Sequence, residues 1–204
     1  MVIKNDKVIL RDFIESDIED RIYWETVETE WQLWDAPWEN DEESFDLDSY
    51  RKERLEWLTK EKDENRTRWE FQICVNDESR KHIGWCNAYK IDDNFKYTNQ
   101  DGHCTIGIDI PDLSLRRKGY ATASWDLFIQ YLSSQGVKDM YTQTWSGNER
   151  VIGLIKKVGF EECNREYGFR TARGQLYDGL TFKLNWEEYN DFHQQNKPIN
   201  LVHV

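Results

Sequence analysis

The sequence predicts an α/β or α+β domain: a mixed, mostly antiparallel central sheet flanked by helices. Three observations carry this expectation. Trp69 to Val75 and His82 to Ile91 alternate apolar and polar residues with the two-residue period of a strand. Ala121, Trp125, Phe128 and Leu132 recur at helical spacing, with Ser124, Asp126 and Gln130 on other faces. Such segments alternate along 204 residues without a linker, an internal repeat or a low-complexity run, so one domain with one core is expected.

The chain opens with a strand, Val8 to Phe13, and Ser16-Asp-Ile-Glu19 reads as a capping box starting a helix that runs to about Trp24. Residues 25 to 43 lack clean periodicity and interleave Trp31, Trp34 and Trp38 with Asp35 and Glu39. They read as a functional loop or a broken helix. A second helix starts near Ser44 or Asp46, with Leu47, Tyr50, Arg54, Leu55 and Leu58 on one side, and fades in the charged run from Lys60 to Arg68. The two alternating strands that follow form a hairpin across Asn76 to Arg80. A strand from His103 to Ile110, the long helix after Gly119, a strand from Met140 to Trp145 and a short helix from Asn148 to Gly159 come next. A last hairpin joins Glu161 to Tyr167 and Leu176 to Leu184. Residues 1–186 thus make the domain, and 187–204 form a polar appendage.

Composition narrows the function. Against 27 Lys and Arg stand 39 Asp and Glu, a net charge of −12, which disfavours nucleic acid and anionic membranes and favours cationic ligands. The apolar runs are too short to span a bilayer, and the polar N-terminus lacks the order of a signal peptide, so a cytoplasmic protein, monomeric or homodimeric, is expected. Cys74, Cys86, Cys104 and Cys163 are dispersed, with no metal-ligand spacing, and read as buried free thiols. No metal site is expected.

The segment from Ile106 to Thr122 carries the chemistry. A strand runs to a proline stop at Pro111, then to the basic loop Arg116, Arg117, Lys118, Gly119, Tyr120, Ala121, and a helix follows. Free backbone N–H groups, the positive helix end and three cationic side chains would converge on one point, which suits a phosphate or pyrophosphate. The loop lacks the glycines of a Walker loop or a dinucleotide fingerprint.

Arg-x-x-Gly-x-Ala after a strand ending in Ile-x-Ile-Pro resembles the acetyl-CoA-binding motif of the GNAT superfamily of N-acetyltransferases. The stretch from Asn148 to Phe160 resembles that superfamily's Asn-led helix closing in Gly-Phe. The overall layout is similar to the ribosomal-protein alanine N-acetyltransferase branch, and the acidic, aromatic loop to spermidine N-acetyltransferases. The resemblance implies a single GNAT-like domain with a splayed gap between two strands that holds acetyl-CoA as co-substrate. It also implies direct attack by an amine, a small cationic one or a peptide N-terminus, on the thioester in a ternary complex.

The resemblance places the cofactor against Ile108 and Ile110, whose backbone would pair with the pantetheine arm, and against Arg116, Arg117, Lys118, Gly119, Tyr120, Ala121, Thr122 and Asn148. Asn148 is equally accounted for as the N-cap of its helix. Trp34, Trp38, Glu39 and Trp85 are expected at the acceptor amine, although an irregular helix packing its tryptophans into the core would give the same pattern.

This chain departs from the family where protons are handled. Ile155 and Val151 stand where a tyrosine or serine acid is expected, and Thr105 where a carboxylate base is. Asp109 becomes the candidate base, with Glu39, Asp35, Glu70 and His103 as rivals, and Tyr167 or Tyr141 the candidate acid. A solvated or salt-bridged Asp109 fits as well. Two alternatives to catalysis stay open: an acyl-CoA-binding domain impaired in turnover, and a protein-interaction module using the Trp-rich loop 31–43.

Overall fold

In a computed structural model that describes residues 1–38, 45–60 and 63–196, one sheet contains β1 (Val2–Lys4), β2 (Val8–Arg11), β3 (Glu70–Val75), β4 (His82–Ile91), β5 (His103–Asp109), β6 (Met140–Trp145), β7 (Phe160–Ala172) and β8 (Gln175–Leu184). The strand order is β1-β2-β3-β4-β5-β6-β8-β7, antiparallel throughout except between β5 and β6. Helices α1 (Asp17–Thr26), α2 (Leu47–Thr59), α3 (Tyr120–Ser134), α4 (Glu149–Val158) and α5 (Trp186–Gln195) flank it. The expected mixed, mostly antiparallel sheet with flanking helices is present.

Alternation along β4 and β5 divides the two faces. Cys86 pairs with Ile108 and Ala88 with Ile106, and this set packs into the main core with Leu10, Phe71, Ile73, Trp125 and Phe128. Trp85 pairs with Asp109, Asn87 with Gly107 and Tyr89 with Thr105, and this set faces the other way. There Trp85 forms a second buried cluster with Trp24 and Trp31.

The parallel pairing of β5 with β6 covers only Cys104–Met140 and Thr105–Tyr141. One residue further, Thr142 Oγ1 donates to the Ile106 carbonyl at 2.8 Å, and then the strands part. That opening is where the site lies.

Several local expectations are corrected. Ser16 makes no side-chain cap; Asp17 instead takes the Ile14 N–H at 2.8 Å and both Nη groups of Arg11 at 2.6 and 2.7 Å. Leu47 and Leu55 are exposed on α2, which buries no residue, although Asp46 caps it through the N–H groups of Asp48 and Ser49. Cys163 is exposed, while the other cysteines are buried. Residues 186–195 are a helix that sends Tyr189 and Phe192 into the main core.

Candidate active site

A cavity of about 970 Å³ occupies the opening between β5 and β6. Its floor is Ile106–Ile110 and Thr142–Thr144, one end is the 116–122 loop with the start of α3, and the other is walled by Trp31, Trp34 and Trp85. A ligand can therefore touch the anion loop, the parted strands and the aromatic wall together.

The loop has the properties of an anion cradle. Gly119, at the N-cap of α3, takes a left-handed φ of +83° and offers no side chain, and no side-chain cap covers the first-turn N–H groups of Tyr120, Ala121 and Thr122. Arg117, also left-handed at +60°, and Lys157 line the same end of the cavity. Lys118 does not line it; its carbonyl accepts Lys7 Nζ at 3.1 Å. Arg116 lines it while ion-paired to Glu30 at 2.8 Å.

In the parted strand, backbone alternation determines what faces the gap. The Ile106 carbonyl points toward β6, so Ile108, two residues on, presents its backbone groups the same way, where β6 has moved off. Ile108 and Ile110 both line the cavity. Asn148 lines it too, but its side chain is already engaged: Oδ1 accepts the Val151 N–H at 3.3 Å and Nδ2 donates to the Trp34 carbonyl at 2.7 Å.

The aromatic side of the cavity is built by the β4–β5 face and by the segment after α1. Thr29–Leu33 is a short 3-10 helix, and Trp34 and Asp35 follow it along the cavity. Trp34 Nε1 donates to Glu30 at 2.8 Å, Trp145 Nε1 donates to the Trp34 carbonyl at 2.8 Å, and Arg150 stacks 3.9 Å over the Trp34 ring. Asp109 lies on the floor beside Trp85. Burial drives its carboxyl well above the usual carboxylate range, the Asp35 carboxylate pushes the same way, and Arg21 opposes both.

The structure brings together Asp109, Trp34, Trp85 and the cofactor residues apart from Lys118, and leaves two others outside. Tyr167 is 82% exposed on β7 and does not line the cavity. Trp38 packs edge-on against Trp145 and Phe169 instead. Glu39 lies outside the described residues. Of the rivals, Asp35 lines the cavity, whereas Glu70, His103 and Tyr141 do not. Thr105 is fully buried and its hydroxyl has no partner among the described residues. Ile155 is fully buried, and Val151 lines the cavity with a hydrocarbon.

Sequence reading missed Arg21, Asn87, Tyr89, Gln143 and Arg150, which line the cavity. Asn87 and Tyr89 were readable in principle, since they alternate with Trp85 along one strand. Tyr89 donates to Gln143 Oε1 at 3.2 Å across the sheet, and burial holds its phenol neutral.

A cleft lined by an anion-cradle loop and by a carboxylate among aromatic rings has the form that a group-transfer enzyme needs to hold an anionic donor beside a separate acceptor. Residues 7–161 match the family model for the acetyltransferase (GNAT) domain, so this chain belongs to the GNAT acetyltransferase family and is an N-acetyltransferase by class. Solved structures share the fold. An acetyltransferase of the GNAT family from Bacillus anthracis is 15% identical at a TM-score of 0.64, covering 92% of this chain and 99% of that one. A RimL ribosomal L7/L12 alpha-N-protein acetyltransferase in complex with coenzyme A is 13% identical at 0.64, covering 90% and 97%. A spermidine N-acetyltransferase SpeG chimera from Vibrio cholerae and hSSAT is 14% identical at 0.61, covering 90% and 98%. No curated protein matches the sequence. Among the described residues no helix is long and apolar enough to cross a membrane.

Proposed function

We propose that this chain transfers the acetyl group of acetyl-CoA to an amine, a small cationic one or a peptide N-terminus, by direct attack in a ternary complex. The carrying observation is the parting of β5 from β6 in a cavity that both the uncapped α3 N-terminus and Asp109 line. The pyrophosphate sits on the N–H groups of 120–122 with Gly119 allowing its close approach, and Arg117 and Lys157 supply charge. The pantetheine arm runs along Ile108–Ile110, and the Ile108 N–H polarises the thioester carbonyl. Lys118 contributes at most its backbone, and Asn148 mainly holds the Trp34 wall in place.

Asp109 takes the proton that the amine loses as its nitrogen attacks the carbonyl carbon. The tetrahedral intermediate then collapses, the C–S bond breaks, and the thiolate takes a proton. Half-buried Tyr89, which lines the cavity where Tyr167 does not, is the phenol placed to donate at that step. The place of Asp109 on the cavity floor supports this role, and a carboxylate whose pKa desolvation has raised is, once ionised, a stronger base than a solvated one.

Thermal stabilisation by acetyl-CoA together with thiol release on an amine panel tests the reading. Stabilisation without turnover on polyamines, amino acids and N-terminal peptides would return the impaired acyl-CoA-binding domain, and absence of both would overturn the cofactor assignment.

A further inference from the structure

Arg21 projects from α1 into the acceptor end of the cavity. Its guanidinium carbon lies 3.5 Å from the centroid of the Trp85 ring and 5.5 Å from that of Trp31. Its Nε donates to Glu25 Oε1 at 2.7 Å, one helical turn along. The side chain is 27% exposed, so this group is held by an ion pair and a stack, not trailing in solvent. Nη1 and Nη2 have no hydrogen-bond acceptor among the described residues. The other guanidiniums on this wall are engaged, since Arg116 and Arg150 both pair with Glu30.

A planar guanidinium fixed at Nε and stacked on an indole presents its two terminal nitrogens as a preformed fork, the shape that a carboxylate accepts with two parallel hydrogen bonds. Little freedom remains to be lost when it binds. Its position sets what else the ligand must carry. Trp85 and Asp109 are register partners on adjacent strands, so the fork over Trp85 stands beside the carboxyl that receives the amine. Asp35 adds a second acid on that side, and Trp31, Trp34 and Tyr89 enclose the space between.

The geometry points to Arg21 as the docking group for a carboxylate of the acceptor, which makes the acceptor an amine bearing a carboxylate close to its nitrogen, as in a free α-amino acid. This rests on the acetyl-transfer reading and narrows its acceptor from a small cationic amine or a peptide N-terminus to an amine that carries its own carboxylate. The acid end of the zwitterion meets Arg21 and the amine end meets Asp109, with Asp35 beyond. A polyamine without an acid could use the Asp109 side of the pocket but would leave the Arg21 fork without a partner. The carboxylate takes no part in bond making; the amine nitrogen forms the amide bond, the C–S bond breaks, and the acid only fixes which nitrogen reaches the thioester.

Thiol release on matched sets tests this: free amino acids, their primary amides and the corresponding decarboxylated amines, with N-terminal peptides alongside. The expected result is a preference for the free acid of roughly ten- to a hundredfold in kcat/KM, the range of a charge-assisted hydrogen bond. Arg21→Met and the more conservative Arg21→Lys should both shrink that ratio, mainly through the KM of the acid, while acetyl-CoA still raises the melting temperature of each variant. Arg21→Lys keeps the charge over Trp85 and covers the case in which Arg21→Met fails to fold. Equal or better use of amides, amines or peptides overturns the carboxylate inference and leaves acetyl transfer standing. So does a ratio unchanged in a folded variant. Acetyl-CoA binding with no member acetylated overturns both.

Discussion

Glu30 Oε2 lies 2.8 Å from Arg116 Nη1, while its Oε1 accepts the indole N–H of Trp34 at 2.8 Å and meets Arg150 at 3.3 Å. One carboxylate thus ties the aromatic wall to the anion loop and to α4. The hydrogen bonds from the Trp34 indole and Arg116, with the charges of Arg116 and Arg150, hold its pKa below the ordinary glutamate value despite partial burial. The aromatic wall and the 116–122 loop are therefore joined through this side chain.

Replacing Glu30 by Gln should loosen the wall more than the cofactor site. The pairs are partly exposed, so a stability loss of only about 1 kcal/mol is expected. Removing the charge frees Arg116 for a phosphate, and acetyl-CoA affinity should hold or improve, while the KM of the acceptor rises several-fold. Isothermal titration with acetyl-CoA and steady-state kinetics on the same sample check this, and weaker acetyl-CoA binding would mean that Glu30 orders the loop itself.

Asp109 gives a pH-dependent prediction with a definite sign. Its native carboxyl sits above its unfolded value, so its contribution to stability is fully present below the unfolded pKa, near pH ~4, and is lost as pH rises through the native pKa. Asp109→Asn should therefore gain stability relative to the wild type as pH rises through that window, in urea unfolding followed at several pH values. The same variant should lose about 10² to 10⁴ in kcat. Asp35→Asn removes a charge that raises Asp109, so the acid limb of the pH–rate profile should move to lower pH. A limb that stays in place would separate the two carboxyls.

Asp17 tests the frame behind the site. Its fully buried carboxylate is bound by Arg11 through two hydrogen bonds and lies 3.3 Å from His82 Nδ1. His82 in turn bonds Asp20 at 2.9 Å and the Gly84 carbonyl at 3.1 Å, the residue whose absent side chain lets β4 approach Asp109; a Cβ there would lie 2.0 Å from the Asp109 carbonyl oxygen. Asp17→Asn strands Arg11 in a largely buried position, and a loss of about 3 to 5 kcal/mol is expected by denaturant unfolding. A small loss would show that water replaces the carboxylate.

The sheet face and the shape of the 116–122 loop were legible because each rests on a local signal. Alternation from Trp85 to Tyr89 fixes a face by the period of a strand, and Gly119 before an apolar helix marks an N-terminus. Arg21 was not legible: it sits on a short helix among charged residues, and only the tertiary approach of Trp85 gives it a role. Tyr167 misled because the β7–β8 register shifts between Glu166 and Arg170, so alternation no longer tells which way that residue turns. The Ser16 capping box failed because Ser16 already lies in a helical turn, at φ −62° and ψ −22°, where the extended backbone of a capping residue is absent.

The last helix shows the same limit and yields a clean test. Residues 186–195 are mostly polar, yet Tyr189 and Phe192, three apart, share one face and are 3% and 8% exposed. The Tyr189 hydroxyl donates to Asp126 Oδ1 on α3 at 2.9 Å, His193 Nδ1 lies 2.8 Å from the same oxygen, and Trp186 Nε1 donates to the Lys138 carbonyl at 2.7 Å. Burying two aromatic side chains stabilises by about 1.5 to 3 kcal/mol each. A chain ending at Leu184 should therefore lose roughly 3 to 6 kcal/mol, enough to make it poorly soluble or unfolded, and Tyr189→Phe about 1 kcal/mol through the lost hydrogen bond. Urea midpoints of the two variants check both. An unchanged midpoint for the truncated chain would mean that the α5 contacts contribute nothing to the domain, and α3, which follows the 116–122 loop, would then stand without them.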